Sequence, residues 1–355
     1  MKNVNLVLGL HMHQPVGNFP EVVDRITKEV YAPVLEVLAK HPGVAVNLHV
    51  SGPLLEAWVE KHPDLLQKLK ELVGTGRVEM LSGGFYEPVL VEWSEEDRDG
   101  QLGKMNGWLK ERFGVTPQGV WLAEGVWGPS LCHAFGRAGF QYTIVEGSFF
   151  QQAGITPAKM NGHYVTDQAG SMLSVFPTCP ELAKLVPHAP LDELFGYLRR
   201  MANRGEDITL TLAGNLENWS QAPGGVAGYL GSLFARLQES SNWVNTLTGR
   251  AQLERQSPRG RVALPPGTPA ELGGWSLPGS ARKEFFRERG QLAQRFDAGK
   301  WLPFFRGGSW GSFRVRYEEL NLIYRKNLML GRKLKGKSQF PGARAVTERL
   351  WRAQC

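Results

Sequence analysis

The chain has little cysteine. Cys132, Cys179 and Cys355 are the three in 355 residues; they form no C-x-x-C pair and leave one unmatched. A disulfide framework is excluded, and a reducing compartment, the cytosol, is the expected location. Long hydrophobic runs are missing as well. Nothing approaches the ~20 apolar residues that cross a bilayer, and the short apolar stretch in MKNVNLVLGLHMHQP is broken at once by histidines, unlike a secretory signal. No membrane contact is expected. Low-complexity tracts and fixed-period repeats are also lacking, which excludes solenoids and linker-type disorder.

What is present fits a globular enzyme-sized chain: 42% hydrophobic and 21% charged residues, with 42 glycines and 22 prolines spread as turns between many elements. Eleven tryptophans are plentiful. The apolar face of a pyranose stacks on such rings, but tryptophan is as readily core, so the count decides nothing. The net charge of +7 is uneven: residues 250–355 carry 22 Lys/Arg against 8 Asp/Glu, a local +14 that leaves −7 on the rest. These cations lie at scattered helical spacing without a recognition-helix or zinc-finger pattern, so they read as solvated surface and no nucleic-acid partner is expected.

Seven β-rich runs alternate with helical stretches: 4–13, 44–51, 78–84, 119–125, 142–147, 172–178 and 208–215. Between two of them, Pro53–Glu71 repeats Leu54, Leu55, Trp58, Leu65, Leu66 and Leu69 at largely helical spacing. Continuous apolar strands joined by helices imply parallel pairing. The expected fold is α/β, a (β/α)7 barrel over residues 1–265, with an open doubly wound sheet as the alternative. A loop-rich and helical region follows over 266–355. The chain closes on LWRAQC without a polar tail and is expected to be truncated.

In parallel barrels the chemistry sits at the C-terminal strand ends. There the first strand offers His11 and His13, which share a face across Met12. The second offers His49 and Ser51. The third carries Glu79 and runs into Gly83, Gly84, Phe85, Tyr86 and Glu87; the fourth ends at Glu124, Gly125 and Trp127. A strand-end carboxylate beside glycine and aromatic residues suits a glycosidase nucleophile. Taken singly, each histidine reads more readily as a hydrogen-bonded core residue than as a catalyst, Glu79 can be an ion-pair partner, and Glu124 reads equally as a helix cap. Their gathering at one mouth favours chemistry.

The stretches LHMHQPVGNF (10–19), VNLHVSGPLLEAW (46–58), VEMLSGGFYEPVL (78–90) and GVWLAEGVWGPSL (119–131) resemble the 4-α-glucanotransferases and α-amylases of glycoside hydrolase family 57. GGWSLP (273–278) and FRGGSWGSF (305–313) continue the likeness in order. The resemblance implies a retaining reaction on α-1,4-glucans, with maltooligosaccharide or starch- and glycogen-type glucan as partner and with neither metal nor cofactor. It maps the nucleophile onto Glu124, and implies substrate contacts from His11, His13, Glu79, Trp127 and Trp275. It also implies a C-terminal β-sandwich, which is expected to be absent from this chain.

Three departures accompany the likeness. The resemblance implies an aspartic acid/base in LTLAGNLENWSQAPG (210–224), where this chain has Asn215, preceded by Gly214. A retaining site needs two carboxyl groups about 5–5.5 Å apart, and an amide cannot donate as an acid does. Glu217 is the candidate substitute acid, whereas Asp207 precedes the last strand and belongs to the opposite end. The implied acidic pair and histidine after the fifth strand are replaced by Glu146, Gly147, Ser148 and Phe149, and residues 176–190 have lost charge. Three readings stay open: an α-glucan-active retaining enzyme, an impaired or inactive glucan-binding paralogue, and a metal hydrolase using H-x-H. The sequence sets no oligomeric state.

Overall fold

A computed structural model describes residues 4–337 and 340–355. All seven expected strands are there, with two more. They are β1 (Val4–Met12), β2 (Val46–Val50), β3 (Val78–Met80), β4 (Gly119–Val120) and β5 (Tyr142–Val145). Then come β6 (Tyr164–Gln168), β7 (Ser171–Pro177), β8 (Ile208–Asn215) and β9 (Val244–Leu247). One sheet has the order β3-β2-β1-β8, with β9 beside the first half of β1; the other has the order β4-β5-β7-β6. Every pairing is parallel except the β6–β7 hairpin. Isolated parallel bridges, Ser82 to Val120 and Thr178 to Thr211, lie where β3 meets β4 and β7 meets β8.

β1 shows why the strands read as unbroken apolar runs. All nine residues are buried, because both faces are covered. Val4, Leu6, Leu8, Leu10 and Met12 pack outward into a cluster that takes in Leu35 and Leu38, Trp58 and Leu233 from flanking helices. Val7 packs the other way, with Leu81, Tyr142, Ile144 and Phe176, so this inner cluster draws on both sheets. Gly9 sits on the same inner face. A Cβ there would come within 2.9 Å of Ile144 Cδ1 and 3.3 Å of Ala213 Cβ, so the sheets approach over a hydrogen.

The stretch at helical spacing, Pro53–Glu71, forms two helices, Gly52–Lys61 and Pro63–Gly74. His62 leaves helical space (φ −136°, ψ 52°) because the ring of Pro63 crowds an α conformation before it, while Pro63 itself suits a first helical position. The helix Glu95–Phe113 begins at Ser94, whose side chain accepts from the Asp97 N–H, and stops at Gly114 with φ +72°. Among the described residues no strand follows Leu247; helices dominate thereafter and include Gly279–Ala293, Glu318–Leu334 and Ala343–Arg352. The last packs back on Glu95–Phe113: Trp351 Nε1 donates to Asp97 at 3.2 Å and Gln101 to the Trp351 carbonyl at 3.1 Å. No described helix is long and apolar enough to cross a membrane.

Candidate active site

The strand register assembles the mouth. His11 on β1 stands level with His49 on β2 and with Asn215, the last residue of β8. His11 and His49 join through their Nδ1 atoms at 2.9 Å, so one ring donates and the other must be the opposite tautomer. Trp121, just past β4, stacks on His11 with centroids 4.8 Å apart, and His13 stacks on the same ring at 5.7 Å. Into this group comes Glu87. Its carboxyl lies 3.3 Å from His49 Nδ1 and 3.7 Å from His11 Nε2, with its side chain only 6% exposed.

Burial decides the charge state here. Lost hydration holds His11 well below the usual imidazole range, His49 at about 3 and His13 at about 4. It pushes Glu87 well above the carboxylate range, helped by the charges of Glu124 and Glu217. At neutral pH the three imidazoles are therefore neutral, and burial resists charge on the carboxyl set among them. Glu124 is solvent-exposed yet flanked by the mouth, and desolvation raises its carboxyl too. Glu87 and Glu124 share a further trait. With φ of +57° and +56°, both occupy the left-handed region, at a cost of about 1 kcal/mol or more each. Both strained glutamates stand at the same strand-end mouth.

Glu217 follows β8 in the short turn Leu216–Trp219. Its Oε1 accepts from the His13 backbone N–H at 2.8 Å and from the Tyr31 hydroxyl, which in turn accepts from Gln14 Nε2 at 2.8 Å. Desolvation raises its carboxyl pKa, opposed by those two hydrogen bonds. His11, His13 and Glu87 each bring one donor atom within 4.8 Å of the others, a set that could hold a divalent cation.

The remaining candidates lie elsewhere. Glu79 stands level with Asn47, one pleat below His11, and accepts from the Arg250 N–H at 3.0 Å. Trp127 is 1% exposed and packs with Leu131 and Phe149, its backbone paired with Gly267. Trp275 is 49% exposed on the helical side, with the Arg282 guanidinium 4.7 Å from its ring centre. Glu146, at the end of β5, is tied to the Ser148 hydroxyl at 2.6 Å and raised by burial.

Residues 7–265 match the model of glycosyl hydrolase family 57. The chain belongs to this family. It is 34% identical to an α-amylase of Pyrococcus horikoshii over 100% of this chain and 56% of that protein, and 32% identical to a 4-α-glucanotransferase of Thermococcus litoralis over 100% and 53%. The crystal structure of 4-α-glucanotransferase from Thermococcus litoralis superposes with a TM-score of 0.92 at 31% identity, covering 100% of this chain and 55% of that one. The chain thus spans about half the length of the curated relatives it matches.

Within this family 57 scaffold, two mouth residues carry more than sequence reasoning assigned them. Glu87 was visible only as part of GGFYEP, and its left-handed turn has no signature in residue type. Trp121 stood three residues before the expected nucleophile and is the ring that covers His11 and His49.

Proposed function

We propose that this chain acts on α-1,4-glucans by a retaining route, with Glu124 as nucleophile and with leaving-group protonation impaired at Asn215. The two sheets are then the halves of one (β/α)7 barrel, and residues 266–355 its helical flank. The observation that carries the reading is the mouth itself. Two strained glutamates, Glu87 and Glu124, stand with three neutral histidines at the C-terminal strand ends, and Asn215 is level with His11. Neutral imidazoles suit uncharged sugar hydroxyls, which they can meet as donors or acceptors.

The chemistry then divides unevenly. Attack of Glu124 on the anomeric carbon needs only a carboxylate near the sugar. Departure of the next glucosyl oxygen needs a proton, and the Asn215 amide cannot supply it as an acid does; loss of such help removes about 10²–10⁴ in rate. Water or a second glucan resolves the glycosyl-enzyme, giving hydrolysis or transfer. A second reading, glucan binding without turnover, is favoured by the state of Glu217, whose Oε1 is already engaged by His13 and Tyr31.

Incubation with maltoheptaose, products read by size, tests both. Redistributed oligosaccharides from the unmodified chain, raised about 10²–10⁴ in Asn215→Asp and lost in Glu124→Ala, support the enzyme reading. Binding without product, restored by Asn215→Asp, selects the second. Neither product nor binding in any variant overturns both.

A further inference from the structure

Away from the mouth, the helices Glu95–Phe113 and Ala343–Arg352 enclose a groove of about 640 Å³. Two half-buried indoles, Trp108 and Trp351, line it, and its floor includes Gly103 and Gly107. A Cβ built on either glycine would meet nothing within 4 Å, so the helix presents bare backbone there over open space. Trp351 is held in place: its ring lies against Gly100, and its Nε1 donates to Asp97 at 3.2 Å.

The polar lining is balanced. Lys104 and Arg344 contribute two cations, Glu111 and Glu348 two carboxylates. Lys104 Nζ is fixed by Glu348 Oε1 at 2.8 Å and by the Tyr86 hydroxyl at 2.6 Å, and the Tyr86 hydroxyl donates to Glu348 at 2.9 Å. A groove with no net charge, flat aromatic walls and pre-positioned donors and acceptors suits a neutral polyhydroxylated ligand rather than a nucleic acid or an acidic peptide. The wall is also joined to the mouth: Tyr86 directly precedes Glu87, whose carboxyl meets His11 and His49.

We infer that this groove is a second α-glucan site, which holds a polysaccharide chain by stacking on Trp108 and Trp351 while its fixed polar groups take the hydroxyls. The inference rests on the family's mouth being directed at the same polymer. It predicts that long glucans bind through two sites and short ones through the mouth.

The test fills the groove without weakening the fold. Gly103 and Gly107 are helical glycines over open space, so Gly103→Gln/Gly107→Gln is expected to raise helix propensity rather than destabilise. Affinity for soluble starch is measured by retardation in starch-containing gels, and for maltotriose by calorimetry, on the full chain, on this variant, and on His11→Ala. The expected result is starch affinity reduced about tenfold by the filled groove, with maltotriose binding unchanged there and lost in His11→Ala. Starch affinity unaltered by the filled groove but lost in His11→Ala overturns the second site and leaves the proposed function standing. A change of oligomeric state in the filled variant, with glucan affinity intact, gives the groove to a second copy and likewise overturns it. No affinity for either glucan in the unmodified chain overturns both readings together.

Discussion

The register of β1, β2 and β8 stacks two polar layers two residues apart. In the lower layer, Asn47 stands level with Gly9 and Glu79, and both polar atoms of its side chain are hydrogen-bonded. Nδ2 donates to the Leu8 carbonyl at 3.1 Å, while Oδ1 accepts from the Tyr142 hydroxyl at 3.1 Å and from the Gly249 N–H at 2.7 Å. In the upper layer, His11, His49 and Asn215 meet Glu87, and buried atoms go unpaired: His49 Nε2 and His13 Nδ1 have no partner among the described residues. The lower layer is satisfied at Asn47 but not throughout, since Glu79 Oε1 is itself unpaired among the described residues; bonded polar atoms specify the fold, whereas unpaired ones leave binding capacity. The same strands supply both layers, the upper one at their C-terminal ends.

The largest effect that would break this division concerns the leaving group. With 4-nitrophenyl maltopentaoside or maltosyl fluoride, departure needs no proton, so the impairment proposed at Asn215 should vanish. Asn215→Asp is expected to speed maltoheptaose turnover by about 10²–10⁴ while changing the activated substrates by less than about tenfold. Equal gains on both would move Asn215 from proton donation to sugar positioning. Next comes the lower layer. Asn47→Ala strands the Gly249 N–H in a buried site and leaves the Tyr142 hydroxyl to Glu79, a loss of about 2 kcal/mol in urea unfolding. Maltotriose affinity should stay within twofold. If affinity falls in step with stability, the two layers act as one.

The upper layer should also write itself into the pH dependence of stability. His49 titrates at about 3 and His13 at about 4 in the folded chain, against about 6.5 when unfolded. Between about 6.5 and those values the unfolded chain binds more protons, so stability falls as pH falls, by about tenfold in the unfolding equilibrium per unit and per histidine. Glu87 runs the other way, its raised carboxyl pKa eroding stability as pH climbs above the ordinary carboxylate value. Urea midpoints from pH 7 to 4.5 should show a slope shallower by about one proton in His49→Gln. An unchanged slope would mean that His49 is wet and the layer open.

How much of this was legible follows from the same geometry. The seven apolar strands could be read because both of their faces are covered. β6 and β9 could not: YVTDQ runs into exposed residues, and VNTL mixes polar with apolar. His11, His13, His49 and Glu124 lay at strand ends and could be picked by position. Glu79 lay inside an apparent strand of seven residues, but β3 ends at Met80, and Ser82 bridges to Val120, which leaves Glu79 a pleat too low and brings Glu87 to the mouth. Trp127 and Trp121 are placed apart for a similar reason. Strand β4 is two residues long, so the ring nearer its end meets the histidines while Trp127 goes into the core. Register and strand length, not residue type, set these outcomes.

The smallest effect bears on Glu217, a carboxyl that touches the mouth yet is hydrogen-bonded by His13 and Tyr31. Tyr31→Phe removes one of the two bonds to its Oε1 and should cost about 1 kcal/mol of stability. The informative readout is pH. The Tyr31 hydrogen bond favours the carboxylate, so its loss leaves burial less opposed and raises the Glu217 pKa further. If Glu217 replaces the missing acid, residual maltoheptaose turnover must survive to higher pH in Tyr31→Phe, since more of the carboxyl stays protonated. If Glu217 only anchors the His13 backbone, the alkaline limb will not move and turnover will fall with the ordering of the strand end. The two outcomes differ in sign, which a single pH profile resolves.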